Sequence, residues 1–229
     1  DVMLEYVTLY NLLGRYEKAY EVIMSHTFRP WEGAEGRISG QYKIALTEQA
    51  KQKIAKEDYK VAEELLEQAL VYPKNLGEGK LEGTKDNNIY YYLGVVKNVL
   101  GQNAEAEECF RKAEMGEDEP AGMMYYYDQP ADMILYKGLA CKALGNNKAA
   151  YACFNKLMDY GERHLYDEVK NDFFAVSLPD FLIFEDDMDK KNKAHCYYLM
   201  GLANLGMGNE EEAAKQFEKA ISYDYNHQN

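Results

Sequence analysis

"KNVLGQNAEAEECF", residues 97–110, reads as the end of one helix, a turn, and the start of a second helix. Ala106 and Phe110 lie four residues apart, so one helical turn places both on the same face. The pattern recurs. "YNLLGRYEKAYEVI" (10–23), "AKEDYKVAEELL" (55–66), "CKALGNNKAAYACF" (141–154) and "NLGMGNEEEAAKQF" (204–217) align with it. An alanine falls at the shared position each time, as Ala19, Ala62, Ala106, Ala150 and Ala213. A large apolar residue follows four positions on, as Ile23, Leu66, Phe110, Phe154 and Phe217.

Upstream, "YLGVV", "YKGLA" and "LMGLA" place Gly94, Gly138 and Gly201 twelve residues before the alanine. A glycine inside a helix costs about 1 kcal/mol relative to alanine, so it is worth keeping where a neighbouring helix must come close. Val7 and Ala50 take its place in the first two segments. These positions resemble the tetratricopeptide repeat, a helix-turn-helix of about 34 residues. The resemblance implies an all-α fold, a right-handed superhelical solenoid of about five helix-turn-helix repeats.

The alanines lie 43, 44, 44 and 63 residues apart, more than a repeat of about 34 requires, so every junction carries an insertion. The punctuation says where. All five prolines, and nine of the 17 glycines, fall between the second helix of one repeat and the first helix of the next. The expected repeats are roughly residues 1–25, 41–71, 89–114, 132–159 and 193–222, with insertions 26–40, 72–88, 115–131 and 160–192, all in one domain spanning 1–229. A solenoid returns to the same edge at each junction, so the four insertions are expected to be neighbours in space.

Their content is unlike that of plain connectors, which tend to be short and polar. "HTFRPWEGAEGRISG" carries the only tryptophan, and the other insertions bring tyrosines and phenylalanines among carboxylates and amides. Phe28 and Trp31 either staple their loop to the next repeat or line a groove. Aromatic rings stack on the apolar face of a sugar, and planar polar groups hydrogen-bond its hydroxyls. On that chemistry the candidate ligand-binding residues are Arg29, Trp31 and Glu32, then Asn75, Glu82 and Asp86, then Tyr126, Asp128 and Gln129, then Ser177 and Asp180. Function concentrates in loops held by a rigid scaffold.

Composition narrows the classes. The 39 acids against 26 bases give a net charge of −13, which argues against a nucleic-acid partner, since phosphate neutralisation needs clustered Lys and Arg. No apolar run reaches bilayer length, so no membrane insertion is expected. The four cysteines have none of the short spacings of zinc sites and fall in helical patterns, where they read as small buried hydrophobes. They permit a reducing compartment, and the cytoplasm is favoured for this stretch. The four histidines lack metal-ligand spacing, and no metal or cofactor is expected. There is no nucleophile elbow, phosphate-cradling loop or dinucleotide fingerprint. Catalysis, if present, would be glycoside-directed, with Glu32, Glu82, Asp86 and Asp128 the carboxylates from which a pair could come.

"HTFRPWEGAEG", "NLGEGKLEGTKDNN", "YYYDQPADM" and "FAVSLPDFLIFEDD" resemble the C-terminal tetratricopeptide region of large bacterial proteins with an N-terminal domain of unknown function. Two functions stay open. The chain is an interaction module, binding a protein segment or its own N-terminal domain through the concave face and the insertion edge. Alternatively it binds or processes carbohydrate, with the insertions lining a pocket. Asp1 falls within a first helix and "YDYNHQN" follows a second helix directly, so both ends read as cuts. Exposed apolar surface and end-to-end pairing are expected there.

Overall fold

A computed structural model describes residues 2–31, 34–120, 129–169 and 187–227. Among them are ten α-helices, one short 3₁₀ turn (Lys74–Leu76) and no strand. The helices are α1 (Val2–Leu12), α2 (Tyr16–Ser25), α3 (Arg37–Ala55), α4 (Tyr59–Ala69), α5 (Asn87–Val99), α6 (Asn103–Ala113), α7 (Met133–Ala143), α8 (Asn147–His164), α9 (Met188–Met207) and α10 (Glu210–Tyr223). They form five helical hairpins. The chain divides into two compact units, Asp1–Ala113 with three hairpins and Glu114–Asn229 with two.

One local device closes all five hairpins. After the first helix a residue with positive φ turns the chain: Gly14 (67°), Glu57 (61°), Gly101 (80°), Gly145 (81°) and Gly208 (85°). The next N–H then reaches back five residues, as in Gln102 N to Lys97 O at 2.9 Å and Asn146 N to Cys141 O at 2.8 Å. This satisfies carbonyls that the helix end would leave bare. Glu57 is the one non-glycine residue with positive φ among the described residues.

The glycines inside the first helices meet the aromatic rings of the second. A Cβ on Gly94 would lie 2.5 Å from Phe110 Cε1, on Gly138 2.4 Å from Phe154 Cε1, and on Gly201 2.4 Å from Phe217 Cε1. Each glycine is the recess that its ring fills. The first two hairpins fill the same place with Val7 and Ile23, and with Ala50 and Leu66, all fully buried. Where the first-helix residue is larger than glycine, the second helix carries an aliphatic residue in place of the phenylalanine ring.

The helices reach further than the sequence pattern suggested. α3 starts at Arg37 because the Glu78 carboxylate takes the N–H groups of Gly36 (2.9 Å) and Ser39 (3.1 Å) at its N-terminal end. An anion there is favoured by the helix dipole. α8 runs through Gly161 to His164. Gly161 does not break the helix; it lets α9 approach, since a Cβ there would lie 2.6 Å from Met200 Cγ and 2.7 Å from the Cys196 carbonyl oxygen. α9 starts at Met188, capped by Asp187, whose side chain accepts from Lys190 N at 3.1 Å.

Candidate functional site

In the first unit, the insertions after α2 and α4 are clasped together. Phe28 N donates to Asn75 O at 2.7 Å, and the Asn75 side chain donates to the carbonyls of Ile23 (2.7 Å) and His26 (2.9 Å). Asn75 thereby satisfies carbonyls at the C-terminal end of α2. Gly77 has φ of 75°, and a Cβ on it would lie 2.3 Å from the Phe28 carbonyl oxygen, so only glycine fits where the two segments touch. Phe28 and Leu76 are buried as the apolar pins of the clasp.

Asp86 belongs to this framework as well. Its side chain is 1% exposed and is held by two ammonium groups, Lys43 at 3.0 Å and Lys80 at 2.6 Å. Lys80 also donates to the Leu70 carbonyl at 3.0 Å. Burial opposes the charge on Lys43, but Asp86 and then Tyr72 more than offset it, so its pKa lies above the usual lysine value. A charge so deeply buried is tolerated because it is paired.

The outward surface of the clasp is formed by the other candidates. Arg29 and Glu82 are exposed, and Trp31 is 45% exposed. Beneath Trp31 is a dimple of only about 10 Å³, lined with Leu4, Phe28, Pro30, Ala34 and Ile38. That is room for about one water and not for a sugar ring. Trp31 therefore offers a surface and not a pocket. Glu32 lies outside the described residues.

In the second unit the segment after residue 114 is anchored in a similar way. Gln129 is buried, accepts from Glu117 N at 2.8 Å and donates to Glu117 O at 3.2 Å, so its amide closes the loop on itself. Lys137 of α7 donates to Gly116 O at 2.7 Å and pairs with Asp118, holding that carboxyl below its usual pKa. Tyr126, Asp128, Ser177 and Asp180 lie outside the described residues.

Beside this loop is a polar cleft of about 230 Å³ that the sequence reading missed. It is lined by Glu119 from the loop and by Lys156, Asp159, Tyr160, Arg163 and His164 from α8. Lys156 pairs with Glu119 at 2.5 Å, Arg163 lies 3.7 Å from Asp159, and His164 lies 2.6 Å from Asp167. Burial, then Cys196 and Asp167, raise the pKa of Tyr160. The signal was available: residues 156, 159, 160 and 163 share a helix face once the helix continues through Gly161.

The four cysteines are buried and unpaired with one another. Burial pushes the Cys153 and Cys196 thiols up to about 11, far from the reactive thiolate range. Among the described residues no group of three His, Cys, Asp or Glu side chains could hold a metal ion, and no helix is long and apolar enough to cross a membrane.

Residues 194–227, which cover most of α9 and all of α10, match the family model of the tetratricopeptide repeat. They contain the Gly201–Phe217 recess, the Gly208 turn and Ala213, and the same arrangement recurs in the α5–α6 and α7–α8 hairpins. Residues 194–227 form a tetratricopeptide repeat, and the described chain is an all-α array of helical hairpins. It is also similar to a chain in a solved structure described as "Crystal structure of MamA", at 15% identity and a TM-score of 0.28, covering 94% of this chain and 92% of that one. The assignment rests on the repeat match and the hairpin geometry. Tetratricopeptide arrays present extended surfaces for proteins, which supports a scaffold or interaction role.

Proposed function

We propose that the chain is an interaction module that holds a protein segment, or its own N-terminal domain, at the insertion edge of the first unit. Trp31 and Arg29 are the central contacts. One observation carries this reading. Asn75, Glu78, Gly77 and Phe28 fix the two insertions to the helices, yet Trp31 is left 45% exposed beside Arg29. Tryptophan and arginine dominate binding hot spots, and a frame already rigid avoids much of the ordering cost of association. Quantitative capture with the immobilised chain tests it: proteins retained by the natural chain and by a Tyr225→Ser control should be lost with Trp31→Ser. Identical capture by all three would reject the assignment to this edge.

A second reading, carbohydrate binding, has its own observation. The cleft beside α8 combines the Tyr160 ring with Glu119, Asp159 and Arg163 in about 230 Å³, somewhat below the usual range of small-ligand sites. Calorimetric titration with a panel of mono- and oligosaccharides tests it. Saturable heat that disappears with Tyr160→Ala supports this reading, and a flat panel opposes it.

A further inference from the structure

Three of the four histidines stand in one run of rings in the second unit. In α8, His164 lies 4.4 Å from Tyr160, centroid to centroid. Tyr160 meets His195 of α9 edge-on at 6.3 Å, His195 lies against His227 at 5.5 Å, and His227 reaches Tyr198 at 5.1 Å. His227 belongs to the turn after α10. Its N–H donates to Asp224 O at 3.4 Å, and Asn226 N donates to the Asp224 carboxylate at 2.9 Å. Those bonds are local to the turn. The turn is held on α9 by the His227 ring, whose Nε2 lies 3.3 Å from Nδ1 of His195.

The pair has a place for one shared proton and none for a second. A hydrogen on the 3.3 Å line joins the two rings, with either as donor. Nε2 of His195 is buried without a hydrogen-bond partner. A cationic imidazole donates from both nitrogens, so a charged His195 keeps a buried N–H with no acceptor. Burial lowers the pKa of both rings; His227 adds to the effect on His195, and Asp224 offsets only part of it on His227. The charged neighbours are few among the described residues. Lys191 stands one turn before His195 on α9, Lys219 of α10 lies over the Tyr197 ring, and His164 pairs with Asp167 at 2.6 Å on the far side of Tyr160.

We propose that the turn Asp224–His227 is a latch on α9, held shut by the neutral His195–His227 pair and released by acid to bare Tyr198 and His195. Once apart, the two rings take up protons near the ordinary value of about 6.5. Packed together, they resist, His195 down to about 4. Opening therefore binds protons between those values and becomes easier as pH falls. From pH 7.5 to 4.5 the difference at His195 alone favours the open turn by up to about seventyfold. The helices beneath have no such reason to part, since α9 meets α8 through Cys196 and Met200 at Gly161. Tyr160, edge-on to His195, also lines the cleft beside α8, so the latch is one side chain away from that cleft.

Nuclear magnetic resonance of the natural chain between pH 7.5 and 4.5 tests the latch. At pH 7.5 the His227 and Tyr198 ring protons should show strong cross-relaxation, and the amides of residues 225–227 should have order parameters near about 0.8. Toward pH 4.5 the ring contact should fade and those order parameters fall below about 0.6, while the amides of α8 and α9 keep theirs. His227→Ala should leave the turn mobile already at pH 7.5. His195→Gln, which cannot take the proton, should shrink the acid response by at least about half. A turn as ordered at pH 4.5 as at pH 7.5, or one still ordered in His227→Ala, overturns the proposal. So does acid loosening that is undiminished in His195→Gln or shared by the whole of α8 and α9.

Discussion

Gly94 and Phe110 form one recess and one plug: a Cβ on the glycine would lie 2.5 Å from Cε1 of the ring. The ring is nearly buried and cannot withdraw without exposing itself. Gly94→Ala should therefore destabilise the chain by about 1–3 kcal/mol, although alanine is the better helix former. Phe110→Leu in the same molecule should recover part of the loss, since the second hairpin uses Ala50 with Leu66. A double-mutant cycle by urea unfolding measures this coupling. Additive losses would show that the two residues do not share the recess.

The turn at Glu57 has a simpler expectation. Its φ of 61° is one that the equivalent glycines adopt freely and a glutamate does not. Glu57→Gly should raise stability by about 0.5–1 kcal/mol, the reduced strain outweighing the entropy of the unfolded glycine. Gly101→Ala should lower it by a similar amount. Thermal melts of the two variants check the pair of signs.

Asp86 should behave as a framework residue and not as a ligand. Asp86→Ala leaves Lys43 and Lys80 facing each other without their shared carboxylate. Removing one partner from a buried ion pair costs about 3–5 kcal/mol; with both lysines still partly exposed, about 2–4 kcal/mol is expected. Glu82→Ala, on the exposed side of the same insertion, should change stability by less than about 0.5 kcal/mol. Denaturant midpoints for the two variants separate the roles.

His195 supplies a pH signature. Its ring stacks on His227 with centroids 5.5 Å apart, near Tyr160, and its Nε2 is buried without a hydrogen-bond partner. Burial first, and His227 second, push its pKa down to about 4. The folded-state pKa lies below the unfolded value of about 6.5, so the unfolded chain binds more protons between those values. The stability is present in full above pH 6.5 and is lost as pH falls toward 4, amounting to up to about 3 kcal/mol. Burial lowers the His227 pKa too, which adds loss in the same direction. Melting points between pH 4.5 and 7.5 should fall with acid in the natural chain and fall less steeply in His195→Gln.

The hairpins were legible because their information is local. Gly94 lies sixteen residues from Phe110 and Gly101 seven from Gly94, so periodicity exposes recess and turn together. The insertions were not legible, because their partners are remote. Asn75 looked like a ligand residue, being an amide in a loop, but it serves carbonyls 49 and 52 residues away. Asp86 and Gln129 were chosen for the same reason and are likewise internal supports. Gly161 fell inside the expected insertion 160–192, whereas it lies within α8 as a point of close approach to α9. That error hid the cleft residues of α8.

The most direct test of the interaction edge uses the single tryptophan. Trp31 emission should be red-shifted and open to acrylamide quenching in the free chain, as befits a ring 45% exposed. Titration with a captured partner should shift emission to the blue and protect the ring from quencher, saturably and to the same end point as binding measured separately. A partner that binds the chain tightly while leaving both the emission and the quenching of Trp31 unchanged would contradict it.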